Sequence, residues 1–184
     1  MLRVVLDSNV YVSALHFGGL PLELLLLGTG DDVVLFTSPA ILAEVAGVLS
    51  GKFHWDESRV SEALDVLSQF IVPVEPRQRL RVVRADEADN RILECALAVR
   101  ADRIVSGDHH LLDLGQFRGV PIQTPWAFIE SIARPHRGGE PPCRSSGSRR
   151  NSRRPSIHKA FIRAEGVSRV HRLTPRRLWL RGLD

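Results

Sequence analysis

The stretch DEADNRILECALAVRADRIVSGDHHLL, residues 86–112, decides how the rest of the chain is read. Its first half places Ile92, Cys95, Ala96 and Val99 on one stripe at helical spacing, which predicts a helix over 88–101. DRIVSGD at 102–108 then gathers its apolar residues into one short run, the pattern of a strand buried on both faces. A helix that feeds directly into such a strand is half of a parallel α/β unit. Both ends of this unit are acidic, with Asp86, Glu87 and Asp89 at the helix start and Asp108 at the strand end. Carboxylates beside apolar segments are costly to desolvate, so their placement requires a cause.

Outward from this unit the same alternation recurs. LRVVLD at 2–7, VVLFTS at 33–38 and IVPVE at 71–75 precede it as strands, and GVPIQTP at 119–125 follows it as a fifth. Between them stand helical segments at 8–19, 21–30, 38–51 and 56–70, and a last helix is expected over PWAFIESIA at 125–133. Ser38 is placed to cap the helix it opens, Pro39 suits the first turn, and Gly51 suits the end. In the segment 56–70, Val60, Ala63, Leu64, Leu67 and Phe70 share one face. Strands alternating with helices predict an α/β domain of three layers, α/β/α, around a mostly parallel sheet.

The chain has 184 residues, 43 % of them apolar, enough for one domain. Its net charge of +4 conceals two halves. Residues 134–184 hold 14 basic and three acidic side chains, whereas residues 1–133 carry a net −7. We therefore divide the chain into a domain at 1–133 and a basic tail at 134–184 rich in Arg, Gly, Pro and Ser, expected to be largely disordered. The basic balance belongs to the tail and does not by itself argue for nucleic acid at the domain. Cys95 and Cys143 cannot make a disulfide framework, and Cys95 is expected to be a small buried apolar residue. No apolar run is long enough to span a membrane, and MLRVVLDSN lacks the form of a signal peptide. A cytoplasmic protein is expected.

In open parallel sheets ligands bind beyond the carboxyl ends of the strands. Asp7 ends the first strand, Asp108 ends the fourth, and Asp89 begins the helix leading to it. Glu44 lies one to two turns into the helix after the second strand, among Ile41, Leu42, Val45 and Val48. Four acids from four segments thus converge on one rim. Taken singly, each has a plain explanation: a helix cap for Asp7, a solvated helix position for Glu44, dipole complementation for Asp86, Glu87 or Asp89, a turn for Asp108. Together they repel unless a hard divalent cation neutralises them, and oxygen-only ligands suit Mg²⁺. Without a thiolate or imidazole cluster, zinc and copper fit less well. Such a site suits hydrolysis of a phosphodiester.

The series LDSN, SPAILAEV, ADNRILECALAVRADRIVSGDHHLL and GVPIQTPWAFI resembles the PIN domain over about residues 2–132. The closest branch is that of VapC-like toxin components of bacterial toxin–antitoxin systems. The resemblance implies a 3-2-1-4-5 sheet and an endoribonuclease dependent on Mg²⁺ or Mn²⁺, with Asp7, Glu44, Asp89 and Asp108 as the acidic cluster. It also implies supporting roles for Asn9 and Ser106, an outer role for Asp86, an RNA substrate and a cognate antitoxin. Arg77, Arg79, Arg81 and Arg84 form a basic stretch able to hold RNA phosphates or to stand as a solvated loop. His109 and His110 could ligate metal or contact phosphate but are read as solvent-facing turn residues, and Trp55 and Trp126 as core or interface. Leu42, Val45, Leu49, Val60, Leu64 and Leu67 exceed what one sheet face needs, and a homodimer through them is expected. The competing reading is a non-catalytic RNA-binding module working through the tail. An intact acidic set favours the enzyme, and the absence of G-x-G-x-x-G after the first strand disfavours a dinucleotide enzyme.

Overall fold

The computed structural model of the protein describes residues 1–83 and 87–133. Arg84, Asp86 and the expected tail lie outside them. The chain opens with β1 (Leu2–Leu6), α1 (Ser8–His16) and α2 (Leu20–Leu26), which runs into a 3-10 turn at Leu27–Thr29. β2 (Val33–Thr37), α3 (Pro39–Gly51), α4 (Glu57–Leu67) and β3 (Ile71–Pro73) follow. After α5 (Glu87–Ala98) and β4 (Arg103–Val105) come α6 (His109–Asp113), β5 (Gln116–Phe117), β6 (Val120–Gln123) and α7 (Pro125–Ala133).

The strands form one sheet in the order β3-β2-β1-β4-β6-β5, parallel throughout except for β5. The five expected strands therefore take the expected 3-2-1-4-5 order. The addition is β5, a two-residue strand antiparallel to β6 at the edge. Arg118 (φ 48°) and Gly119 (φ 84°) connect the two strands. Positive φ at both central residues gives the turn that matches the twist of a tight hairpin.

Val4, Val5 and Leu6 are each wholly buried. Successive strand side chains point to opposite faces, so both faces of β1 are covered. α5 packs on β1 and β2, while α1 packs on α2 and α3. The cap expected at Ser38 forms, its Oγ accepting the Ile41 N–H, and Asp56 Oδ1 caps α4 by accepting the Arg59 N–H at 2.8 Å. Gly28 sits where a Cβ would collide with the Phe70 carbonyl oxygen and crowd Leu35, so the 3-10 turn closes against the sheet only with glycine there.

The apolar residues expected to meet a partner subunit are used inside the monomer. Val45, Leu49 and Leu67 are wholly buried, Val60 is nearly so, and Leu42 and Leu64 pack against the same core. α3 is the reason: it contacts α1, α4 and α5, and three neighbours consume its apolar surface.

The segment before α5 is docked by two buried polar side chains. Asn90 Oδ1 accepts the backbone N–H groups of Val82 (2.7 Å) and Val83 (3.0 Å), and its amide donates to the Val83 carbonyl at 2.7 Å. Glu94 accepts the Leu80 N–H at 2.7 Å and pairs with Arg91 at 3.1 Å and Arg79 at 3.5 Å. Among the described residues no single helix is long and apolar enough to cross a membrane.

Candidate active site

β1 and β4 are parallel neighbours, with Leu6 opposite Val105. Asp7 directly follows β1, and its N–H reaches the Val105 carbonyl at 2.9 Å. The carboxyl end of β1 is thus fixed beside the 106–108 loop that follows β4. Asp7 stands at the N-cap position of α1 yet makes no side-chain cap. Its two oxygens are engaged by hydroxyls instead. Ser8 Oγ donates to Oδ1 at 3.2 Å, and Ser106 Oγ donates to Oδ2 in a short hydrogen bond. Ser106 Oγ also accepts the Asp108 N–H at 2.9 Å, so one buried hydroxyl sets the positions of two acids. Asn9 Oδ1 accepts the Gly107 N–H at 3.3 Å and ties α1 to the same loop.

Asp108 lies three residues beyond β4. Its Oδ1 accepts the His110 N–H at 2.7 Å and caps α6. Asp89 is buried in the first turn of α5, and Glu44 is half-buried in the second turn of α3. Asp7, Glu44, Asp89 and Asp108 all line one cleft of about 320 Å³, together with Asn9 and Lys52. Ser106 lies wholly buried beneath it. The four acids expected from sequence are therefore brought to a common space.

The electrostatics of that space are strained. Burial pushes the Asp7 carboxyl above its ordinary value, the hydrogen bonds from Ser106 and Ser8 hold it back, and the nearby Asp108 charge adds a smaller upward push. A cation in the cleft would relieve both upward causes. Carboxylate oxygens are hard donors and match Mg²⁺ or Mn²⁺, so the residues present fit such an ion.

Two features depart from the sequence reading. His109 and His110 begin α6 and are not turn residues. His109 is exposed, but His110 is half-buried, with Nδ1 3.2 Å from Asp108 Oδ1 and 3.9 Å from Asp89 Oδ2. Asp108, His109 and His110 form the one group of three metal-ligating side chains, among the described residues, whose ligand atoms lie within 4.8 Å of one another. Sequence reasoning read His110 as a turn residue because a five-residue helix shows no period. Lys52 was also missed, though it carried a signal: Glu44, Val48 and Lys52 recur every four residues along one face of α3. Of the arginine stretch, Arg77 and Arg81 are exposed, and Arg79 turns back to Glu94.

Residues 3–110 match a family model described as PIN domain. The uncharacterized protein MJ1680 of Methanocaldococcus jannaschii is 35 % identical over 144 residues, covering 71 % of this chain and 92 % of that protein. Among solved structures, that of VapBC2 from Rickettsia felis bound to a DNA fragment from their promoter superposes with a TM-score of 0.51. It shares 16 % identity and covers 67 % of this chain and 98 % of that one. At that identity the likeness is one of fold.

Proposed function

The chain belongs to the PIN-domain family, and on that premise we propose that it is an endoribonuclease dependent on Mg²⁺ or Mn²⁺, acting as the toxin of a type II toxin–antitoxin pair. PIN domains are generally nucleases. The observation that carries the reading is the convergence of Asp7, Glu44, Asp89 and Asp108 on one cleft at the carboxyl ends of β1 and β4. A non-catalytic RNA-binding module has no use for four acids that repel phosphate.

In this reading the four carboxylates hold the divalent cation. When bound, the cation supplies charge neutralisation and Lewis acidity at a phosphodiester. The chain's own residues do the rest. Ser106 keeps Asp7 and Asp108 in fixed orientation, and Asn9 holds the 106–108 loop against α1. His110 stands beside both acids, with Nδ1 3.2 Å from Asp108 Oδ1 and 3.9 Å from Asp89 Oδ2. Arg77 and Arg81 face solvent as phosphate contacts, Arg84 is proposed to join them, and Asp86 to take an outer role at the acidic cluster. The basic residues beyond Ala133 add nonspecific affinity for RNA through counterion release. We further propose a cytoplasmic protein, a cognate antitoxin that covers the cleft, by analogy with the VapBC2 complex, and a homodimer formed by surfaces other than the buried faces of α3 and α4.

The test is incubation of the full chain with a mixed RNA pool. Endonucleolytic products are expected with Mg²⁺ or Mn²⁺ and none with EDTA; products that persist in EDTA would overturn the metal-dependent reading. Ser106→Ala should retain the fold and lower the rate about 10- to 100-fold, the usual cost of losing a group that orients a metal ligand. Its hydrogen bond holds the Asp7 carboxyl down, so without it Asp7 ionises at higher pH. The acid limb of the rate profile should move upward in pH by comparison with the parent. An unmoved limb with an unchanged rate would deny Ser106 this part.

A further inference from the structure

The cleft does not end at the carboxylates. α1 and α3 pack side by side, and each with its C-cap residue lines it over eight residue steps, from Asn9 to Phe17 and from Glu44 to Lys52. At about 1.5 Å per residue each wall is ~12 Å long, the length of roughly three stacked nucleotides. The far end differs in kind from the acidic end. Phe17 closes α1 with 68 % of its surface exposed. Gly18 and Gly19, with φ of 69° and 64°, stop the helix there and leave the ring at the lip of the cleft. Its ring meets Phe53 edge-on at 5.9 Å and His16 at 4.6 Å. Phe53 is half-buried and stacks on His16 at 4.0 Å, which braces it. Lys52, the one cation among the residues lining the cleft, places its ammonium 5.8 Å from the Phe53 ring.

We propose that Phe17, Phe53 and Lys52 form a nucleotide subsite, in which the exposed ring of Phe17, braced edge-on by Phe53, stacks a base and Lys52 meets the adjoining phosphate of a single-stranded RNA whose scissile bond lies at the carboxylates. The subsite rests on the nuclease reading and deepens it. Three features favour a nucleic-acid strand over an apolar peptide as occupant. The shelf is continuous with the acidic end, its one cation stands beside its rings as a phosphate stands beside a base, and aromatic faces accept any base without hydrogen-bond readout. Exposure alone is not the argument: Trp126, 54 % exposed, is not among the residues lining the cleft.

The test measures binding, so that it does not depend on turnover. A fluorescent single-stranded RNA tetranucleotide is titrated, with Mg²⁺ present, against the full chain carrying Asp7→Asn, with and without Phe17→Ala. The salt is high enough to screen contacts from the tail. Phe17→Ala should weaken binding by about 5- to 150-fold, the range for loss of one base–aromatic stack. Phe17→Trp should restore most of the affinity, and Phe17→Leu should not. A tetranucleotide lacking one base should bind weakly and respond little to Phe17→Ala. Unchanged affinity in Phe17→Ala overturns the subsite and leaves the shelf to a protein partner; rescue by Leu as good as by Trp overturns it as well. Absence of RNA cleavage by the unsubstituted chain would sink the nuclease reading instead, a failure read in the cleavage assay and distinct from the outcome of this binding comparison.

Discussion

Asp7→Asn should abolish RNA cleavage and, in metal-free buffer at neutral pH, should melt at a higher temperature than the parent chain. On the proposed metal site, the first effect follows from removing one anionic ligand without changing shape. A metal's contribution of several kcal/mol at the transition state corresponds to a loss of about 10²-fold or more. The second effect has the opposite sign because of where Asp7 sits. It is 4 % exposed, and burial raises its carboxyl above the ordinary 3.8, with Asp108 adding to the rise. A carboxyl raised in the folded state favours folding below its unfolded value, and that contribution is lost as the pH climbs through the folded value. At neutral pH the parent therefore bears the cost of the buried charge, and Asn does not. The gain in melting temperature should shrink as the pH falls toward 3.8. Added Mg²⁺ should stabilise the parent more than the variant. An Asp7→Asn protein that cleaves RNA at the parental rate would remove Asp7 from the site.

Asn90→Ala should be the most destabilising polar substitution in the domain. Asn90 is 2 % exposed and serves three backbone groups, the N–H of Val82 and both the N–H and carbonyl of Val83. Removing it leaves buried donors and an acceptor without that side chain, at about 1–3 kcal/mol for each fully buried group. Val82 is 44 % exposed, so water can replace its share. A total loss of about 2–4 kcal/mol is expected, read as a lowered denaturant midpoint. Hydrogen exchange should quicken first at Val82 and Val83. A loss below about 0.5 kcal/mol, the size of an ordinary surface change, would mean that the segment before α5 holds its place without Asn90.

The elements with a period were legible. α4 shows its stripe of Val60, Ala63 and Leu67, and β1 shows a continuous apolar run because both of its faces are covered. β5 and α6, two and five residues long, are too short for any period to declare itself. The four acids were legible as a set because each stands at an element end or on an apolar helix face. Asn90 and Glu94 were not. In sequence they are polar residues near a helix start, and their work is set by a segment without periodicity, 77–83, that folds back over them. The apolar excess of α3 misled for a related reason. A helix with three helical neighbours needs more apolar surface than one lying on a sheet alone, and the sequence does not count neighbours.

The central claim is that Asp7, Glu44, Asp89 and Asp108 together hold a divalent cation. Anomalous diffraction from crystals of the full chain equilibrated with Mn²⁺ tests it most directly. The account predicts a peak inside the cleft, within coordination distance of carboxylate oxygens from these residues, and its loss in Asp7→Asn. A cleft without a peak, or a peak held only by His109 and His110 on the face of α6, would contradict it.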